Sequence, residues 1–160
     1  MKTYADTSFL ARLLIHDADN ASAVDAHRSL GRPFLIYTQF HRLEVTNALR
    51  LRTFMASSSG SAIKRRAKIE EQEAERRLKW CLAKGLFQAT PMPWESAIER
   101  AVELSAAHCH RIGLRSFDLF HVGAAVELQV KHFITCDLRQ AALAKAAGLK
   151  VMLVRRDSIT

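Results

Sequence analysis

Lys2-Thr3-Tyr4-Ala5-Asp6-Thr7-Ser8-Phe9-Leu10 reads as a short strand that stops at an acid and runs straight into a helix, because Phe9, Leu10, Leu13 and Leu14 follow at helical spacing. An acid so placed stands at the carboxyl end of a strand, where open α/β sheets keep their ligand crevice. The pattern returns late in the chain. Phe133-Ile134-Thr135-Cys136 is a strand ending at Asp137, which opens a helix. In a parallel sheet the two strand ends open on the same edge.

Strands and helices alternate between and beyond these two points. His16-Asp17-Ala18-Asp19-Asn20 reads as a turn, with Asp19 or Asn20 capping a short helix to about Leu30. Phe34-Leu35-Ile36-Tyr37 is a short apolar strand, and Thr38 is placed to cap a helix from about Gln39 to Met55. Ala56-Ser57-Ser58-Ser59-Gly60-Ser61 predicts a flexible tip, followed by a long, doubly charged helix from Ile63 to Lys84. The pair forms a helical hairpin insertion around residues 52–84. Glu73 and Glu75 stand four residues before Arg77 and Lys79, the favourable order for ion pairs along a helix. Leu86 to Thr90 can be a strand, and Trp94 to Cys109 is helical. A helix from about Phe117 to Gln129, the strand His132 to Cys136, a helix Leu138 to Ala147 closed by Gly148, and a strand Lys150 to Val154 complete the order. This alternation predicts a single three-layer α/β domain over residues 1–160, with an approximately five-stranded, mostly parallel sheet and helices on both faces.

Twenty-four basic against 16 acidic residues leave a net charge of +8 and a pI near 9.9. That balance favours a polyanionic partner, nucleic acid first, with an anionic membrane surface or an acidic protein left open. Lys64, Arg65, Arg66 and Lys68 would be the contacts if the charged hairpin clamps nucleic acid. Cys81, Cys109 and Cys136 are odd in number and in no paired spacing, which points to a reducing compartment. With no signal peptide and no apolar run long enough to span a bilayer, the chain reads as cytoplasmic and without a membrane partner.

The carboxylates sort by pattern. Glu70, Glu71, Glu73 and Glu75 lie on the charged helix, Asp17 and Asp19 in a turn, Asp157 in the tail. Glu44 differs, because Ala48, Leu51 and Met55 share its face. Asp118 behaves likewise, with Val122 and Ala125 following it on one face. Each of the four chosen acids also has a structural role open to it: Asp6 as a cap, Glu44 as a paired core acid, Asp118 in a first helical turn behind Ser116, and Asp137 in a capping box with Gln140. If Asp6, Glu44, Asp118 and Asp137 converge, pairs about 4 Å apart repel by roughly 4 kcal/mol at an effective dielectric near 20. Several such terms would exhaust a stability of about 5–15 kcal/mol, so a counter-charge is required. All-oxygen carboxylate sites suit Mg²⁺ or Mn²⁺, and together with the basic surface they point to phosphodiester hydrolysis.

Tyr4-Ala5-Asp6-Thr7-Ser8, Glu44-Val45 before Asn47-Ala48-Leu49, Ser116-Phe117-Asp118-Leu119-Phe120-His121-Val122 with Ala124-Ala125, and Ile134-Thr135-Cys136-Asp137 before Ala146-Ala147-Gly148-Leu149 resemble the PIN-domain nucleases, and among them the VapC-type toxins of toxin-antitoxin pairs. The resemblance extends from about Lys2 to Val154. It implies a Mg²⁺- or Mn²⁺-dependent endoribonuclease, usually a homodimer, held inactive by a small antitoxin. By that analogy Asp6, Glu44, Asp118 and Asp137 form the catalytic metal site, supported by Thr7 or Ser8, Asn47 and Thr135. Two departures stand out. Gly123 occupies a place where the family often has alanine, a minor change, and Arg52 to Lys84 is longer and more charged than in the shortest members. The residues also leave open an RNA-binding or interaction module with a vestigial acidic pocket, or a housekeeping RNA-processing nuclease without an antitoxin. His121, one turn beyond Asp118, is read as a packed core histidine before an orienting one, and Trp80 and Trp94 as core anchors.

Overall fold

The structure, a computed structural model, describes residues 2–16 and 19–155. Asp17 and Asp157 lie outside the described residues. β1 (Thr3–Ala5) is the middle strand of a five-stranded sheet. β2 (Leu35–Tyr37) and β3 (Phe87–Ala89) lie to one side of it, β4 (His132–Thr135) and β5 (Lys150–Leu153) to the other. Every pairing is parallel, so the expected mostly parallel sheet is parallel throughout.

Alternation along these short strands builds two cores. Tyr4, Ile36 and Phe133 face α5 (Trp94–Ile112), α6 (Ser116–Glu127) and α7 (Leu138–Ala146). Ala5, Leu35, Tyr37, Phe87 and Ile134 face α1 (Thr7–Leu14), α2 (Asn20–Ser29), α3 (Gln39–Ala56) and α4 (Ser61–Ala83). Side chains of period two thus divide between helical layers on both faces, as the alternation predicts. The register sets Ala5 beside Ile134, and the Asp6 N–H donates to the Ile134 carbonyl at 2.9 Å. The carboxyl ends of β1 and β4 are therefore tied side by side.

The serine-rich segment between α3 and α4 is a single 3-10 turn (Ser57–Ser59), followed by Gly60 at φ 104°, which glycine adopts without a Cβ clash. Several local expectations are corrected. Glu71 is buried, not solvated: it accepts from Thr53 Oγ1 at 2.5 Å and Lys68 Nζ at 2.6 Å, locking the hairpin. Glu73 pairs with Arg77 at 3.5 Å, while Glu75 and Lys79 do not pair. Arg115, not Ser116, occupies the N-cap position of α6, with no capping bond from its side chain. Trp80 and Trp94 are 55% and 41% exposed, so neither is a buried anchor, although Trp94 packs against Phe40 and Phe120. Gly123 is no minor departure. A Cβ there would meet the Ala97 carbonyl oxygen at 2.7 Å and the Ala101 nitrogen at 3.0 Å, both backbone atoms of α5. Glycine at this position is what lets α5 and α6 pack so closely.

Candidate active site at the carboxyl edge of the sheet

Asp6 ends β1 and begins α1. One carboxyl oxygen accepts from the Phe9 N–H at 3.0 Å, the ordinary N-cap bond, and Ser8 Oγ lies 2.8 Å from both oxygens. Thr135, buried at the end of β4, donates to Asp6 Oδ2 at 2.9 Å. The same hydroxyl accepts from the Asp137 N–H at 3.0 Å and meets Gln140 Oε1 at 2.7 Å. A hydroxyl has one proton; turning the buried Gln140 amide over lets it donate to Thr135 and leaves that proton to Asp6. Burial pushes the Asp6 carboxyl above its usual range, and the His121 charge with the Phe9, Ser8 and Thr135 bonds only partly offsets this.

Glu44, half-buried on α3, is gripped on one side only. Thr7 Oγ1 donates to Oε2 at 2.6 Å, and His121 Nε2 reaches the same oxygen at 2.6 Å. His121 is buried on α6, and its Nδ1 lies 2.9 Å from the hydroxyl of the fully buried Tyr4. With Nε2–H donating to Glu44, the Tyr4 hydroxyl completes the hydrogen bonding of the ring at Nδ1. Burial pushes the Glu44 carboxyl up, but the His121 hydrogen bond, the His121 charge and the Thr7 hydroxyl outweigh it, so its pKa falls below the usual value. Behind this chain His41 donates from Nε2 to the Ala5 carbonyl at 2.9 Å and accepts the Thr38 N–H on Nδ1 at 3.0 Å. Burial, with the nearby His121, holds the His41 pKa well below its usual range, so it stays neutral.

Asp118 accepts the Arg115 N–H on Oδ2 at 3.2 Å. Asp137 caps α7, accepting the N–H groups of Arg139 and Gln140 on Oδ1 at 2.7 and 3.0 Å. Gln140 does not close the predicted capping box, since its side chain turns to Thr135 instead. The structural and functional roles proposed for these acids are therefore not exclusive. Glu44, Asp118 and Asp137 each use one oxygen for the fold, and Glu44 Oε1, Asp118 Oδ1 and Asp137 Oδ2 make no hydrogen bond among the described residues. None of Asp6, Asp118 and Asp137 pairs with a lysine or arginine there.

The structure thus joins Asp6, Ser8, Thr135 and Asp137 in one hydrogen-bonded chain, and Glu44, Thr7, His121 and Tyr4 in another. Asp118 is bonded into neither. Among the described residues no three histidine, cysteine or acidic side chains stand close enough to share one ion. Such a donor set still fits Mg²⁺ in its chemistry, because that ion keeps several waters and takes one or two carboxylates plus substrate phosphate. Asn47 is exposed and makes no hydrogen bond to any of the four acids. Of the four expected contacts on α4, Arg66 and Lys68 are paired with Glu70 and Glu71, while Lys64 and Arg65 make no ion pair among the described residues. Tyr4 and His41 were not legible as site residues. His121 carried a signal, a polar residue one turn beyond Asp118 on an otherwise apolar helix.

Fold and site together define an open parallel-sheet α/β domain with carboxylates at the carboxyl ends of its strands. The chain belongs to the PIN-domain family, whose description, PIN domain, matches residues 3–147. PIN domains are in general nucleases and usually bind a divalent metal. The crystal structure of PAE2754 from Pyrobaculum aerophilum is similar to this chain at 17% identity, over 94% of this chain and 89% of that one, with a TM-score of 0.55. That likeness concerns the fold. No curated protein sequence matches the chain.

Proposed function

We propose that this protein is a Mg²⁺- or Mn²⁺-dependent endoribonuclease acting in the cytoplasm as the toxin of a toxin-antitoxin pair. The observation that carries the reading is the division of labour in the carboxylates: Glu44, Asp118 and Asp137 are each fixed through one oxygen and have the other without a protein partner. Asp6 adds a buried acid with no lysine or arginine to neutralise it.

Asp6 and Glu44 would hold the ion directly, with Asp118 and Asp137 orienting its waters. When bound, a divalent ion supplies Lewis acidity at a phosphate oxygen and a water that ionises near neutral pH. Ser8 and Thr135 fix the Asp6 carboxylate, and Thr7 and His121 fix that of Glu44, so little reorganisation remains at the moment of reaction. Tyr4, at Nδ1, holds the His121 ring in the orientation that brings Nε2 to Glu44. The apolar groove between α5 and α6, about 420 Å³ and bordered by the exposed Trp94, Ile98, Val102 and Phe117, supports the homodimer as a second-copy surface. The antitoxin belongs to the same proposal and rests on the family resemblance.

The decisive measurement is cleavage of labelled structured RNA with Mg²⁺, Mn²⁺ or EDTA. Asp6→Asn and Asp118→Asn should each reduce cleavage at least about 100-fold while the protein still melts cooperatively. Cleavage that survives in the double variant, or in EDTA, overturns the reading. Salt-sensitive RNA binding without any cleavage would instead identify a binding module.

A further inference from the structure

α3 carries Glu44 on one side and a different kind of surface on the other. Arg42 precedes Glu44 by two residues, about 200° around the helix, and therefore faces away from the acids. Two grooves of about 500 Å³ each meet along that outer side and share Gln39 and Arg42. The lower one runs over Thr46 and Asn47 to Arg50. The upper one lies at the α3 N-terminus, between the carboxyl ends of β2 and β3, and includes Tyr37 and Thr90.

We propose that this outer face of α3, from Arg42 to Arg50, is a metal-independent site for the backbone phosphates of single-stranded RNA. Arg42 and Arg50 are exposed and make no ion pair among the described residues, unlike Arg66 and Lys68 on α4. Guanidiniums without a short ion pair, Arg50 lying within the field of Glu71, over a groove lined by Gln39, Leu43, Thr46 and Asn47 suit phosphate oxygens, which they can grip bidentately. The positive end of an 18-residue helix opens on the upper groove.

A second observation at the upper groove points the same way. Tyr37 is 6% exposed, and its hydroxyl is buried without any hydrogen-bond partner in the structure. Burial pushes its pKa up to about 12 against the pull of the Arg42 charge, so it remains a protonated donor beside that guanidinium. An unpaired buried donor costs free energy until an acceptor arrives.

Position fits a substrate path. The upper groove lies one to two strands from β1 on the same sheet edge as Asp6, roughly 5–10 Å away at the usual strand spacing. A flexible strand with its reacting phosphate at the acids could cross the α3 N-terminus and set a following phosphate against Arg42. A net charge of +8 supplies the matching long-range attraction. The inference rests on the nuclease reading only for the name of the polyanion.

Binding of a short, labelled single-stranded RNA to the full chain, followed by fluorescence anisotropy in EDTA over roughly 50–200 mM salt, tests it without cleavage. Arg42→Gln with Arg50→Gln should weaken binding about tenfold and flatten the log K against log salt slope by about 1.4, near 0.7 for each lost contact. Each single variant should give about half the slope change, which guards against misfolding of the double variant. Lys64→Gln with Arg65→Gln should alter the slope less. An unchanged slope in the α3 variants overturns the proposal, as does a slope carried by the α4 pair or a loss confined to binding of polyglutamate. If wild type cleaves RNA and the α3 slope is unchanged, this inference alone fails; if wild type never cleaves yet the slope falls, the nuclease reading alone fails.

Discussion

Glu44 and Glu71 are built almost alike and differ in what is left over. Each sits on a hairpin helix, each accepts a threonine hydroxyl from another helix at 2.5–2.6 Å, and each takes one nitrogen donor at 2.6 Å. In both cases burial pushes the carboxyl up and these donors pull it below the usual value. Glu71 uses both oxygens, one for Thr53 and one for Lys68, whose charge is permanent. Glu44 puts both donors on Oε2, and its nitrogen partner is an imidazole. A carboxylate satisfied on both oxygens is a fastener; one satisfied on a single oxygen can still take a ligand.

The largest effect that could break this contrast comes from matching substitutions. Glu44→Gln should lower metal-dependent RNA cleavage at least about 100-fold with little change in melting temperature. Glu71→Gln should leave cleavage intact and lower stability by about 1–2 kcal/mol, since Lys68 is half exposed and screened. Single-turnover assays and denaturant melts on both variants decide it, and equal effects on both quantities would erase the distinction.

Gly123→Ala comes next. Its Cβ would press on the α5 backbone, so stability should fall by about 1–3 kcal/mol. Because α6 carries His121, any shift that relieves the clash also disturbs the grip on Glu44 and leaves Glu71 untouched. Cleavage, normalised to folded protein by circular dichroism, should therefore drop further than the folded fraction does.

His121→Ala removes the nitrogen donor itself. The loss of an orienting partner should weaken Mn²⁺ binding about tenfold by calorimetry. His121→Gln can keep a donor near Oε2 and should recover part of that loss. Equal affinity in the wild type and both variants would make His121 a packing residue only.

How far these contrasts could be read beforehand follows from the range of the interactions. The succession of strands and helices along the chain, helix caps at Asp6, Thr38 and Asp137, and the inward pattern of Glu44 are local, and periods of two and 3.6 with cap residues expose them. Glu71 was hidden because its neighbours Glu70 and Glu73 make a solvated face plausible, while its burial comes from Thr53, 18 residues away. The role of Gly123 was hidden for the same reason, since the backbone it touches lies on another helix. Tyr4 reads as an apolar strand residue, and only the approach of α6, 117 residues later, turns its hydroxyl toward His121. The four acids were legible as candidates. That most of them are fixed through one oxygen and open on the other is a property of atoms, beyond the reach of spacing.

The smallest effect sets Asp6 against Glu44 without any metal. Burial holds the folded Asp6 pKa above its ordinary value of 3.8, against the pull of His121, Phe9, Ser8 and Thr135. The folded state therefore binds that proton more tightly than the unfolded chain. The resulting stability is complete below 3.8 and is lost as pH rises through the higher folded value, after which the ionised acid is a cost. Glu44 runs the other way: its contribution is present above its ordinary 4.5 and is lost as pH falls through the lower folded value. In EDTA, Asp6→Asn should melt slightly higher than wild type near neutral pH, and the gap should close on acidification. Excess Mn²⁺ should reverse the order, because only wild type gains the full binding term. If the neutral variant is less stable than wild type in EDTA, then the hydrogen bonds to Asp6 outweigh its burial, and it is a fastener of the Glu71 kind.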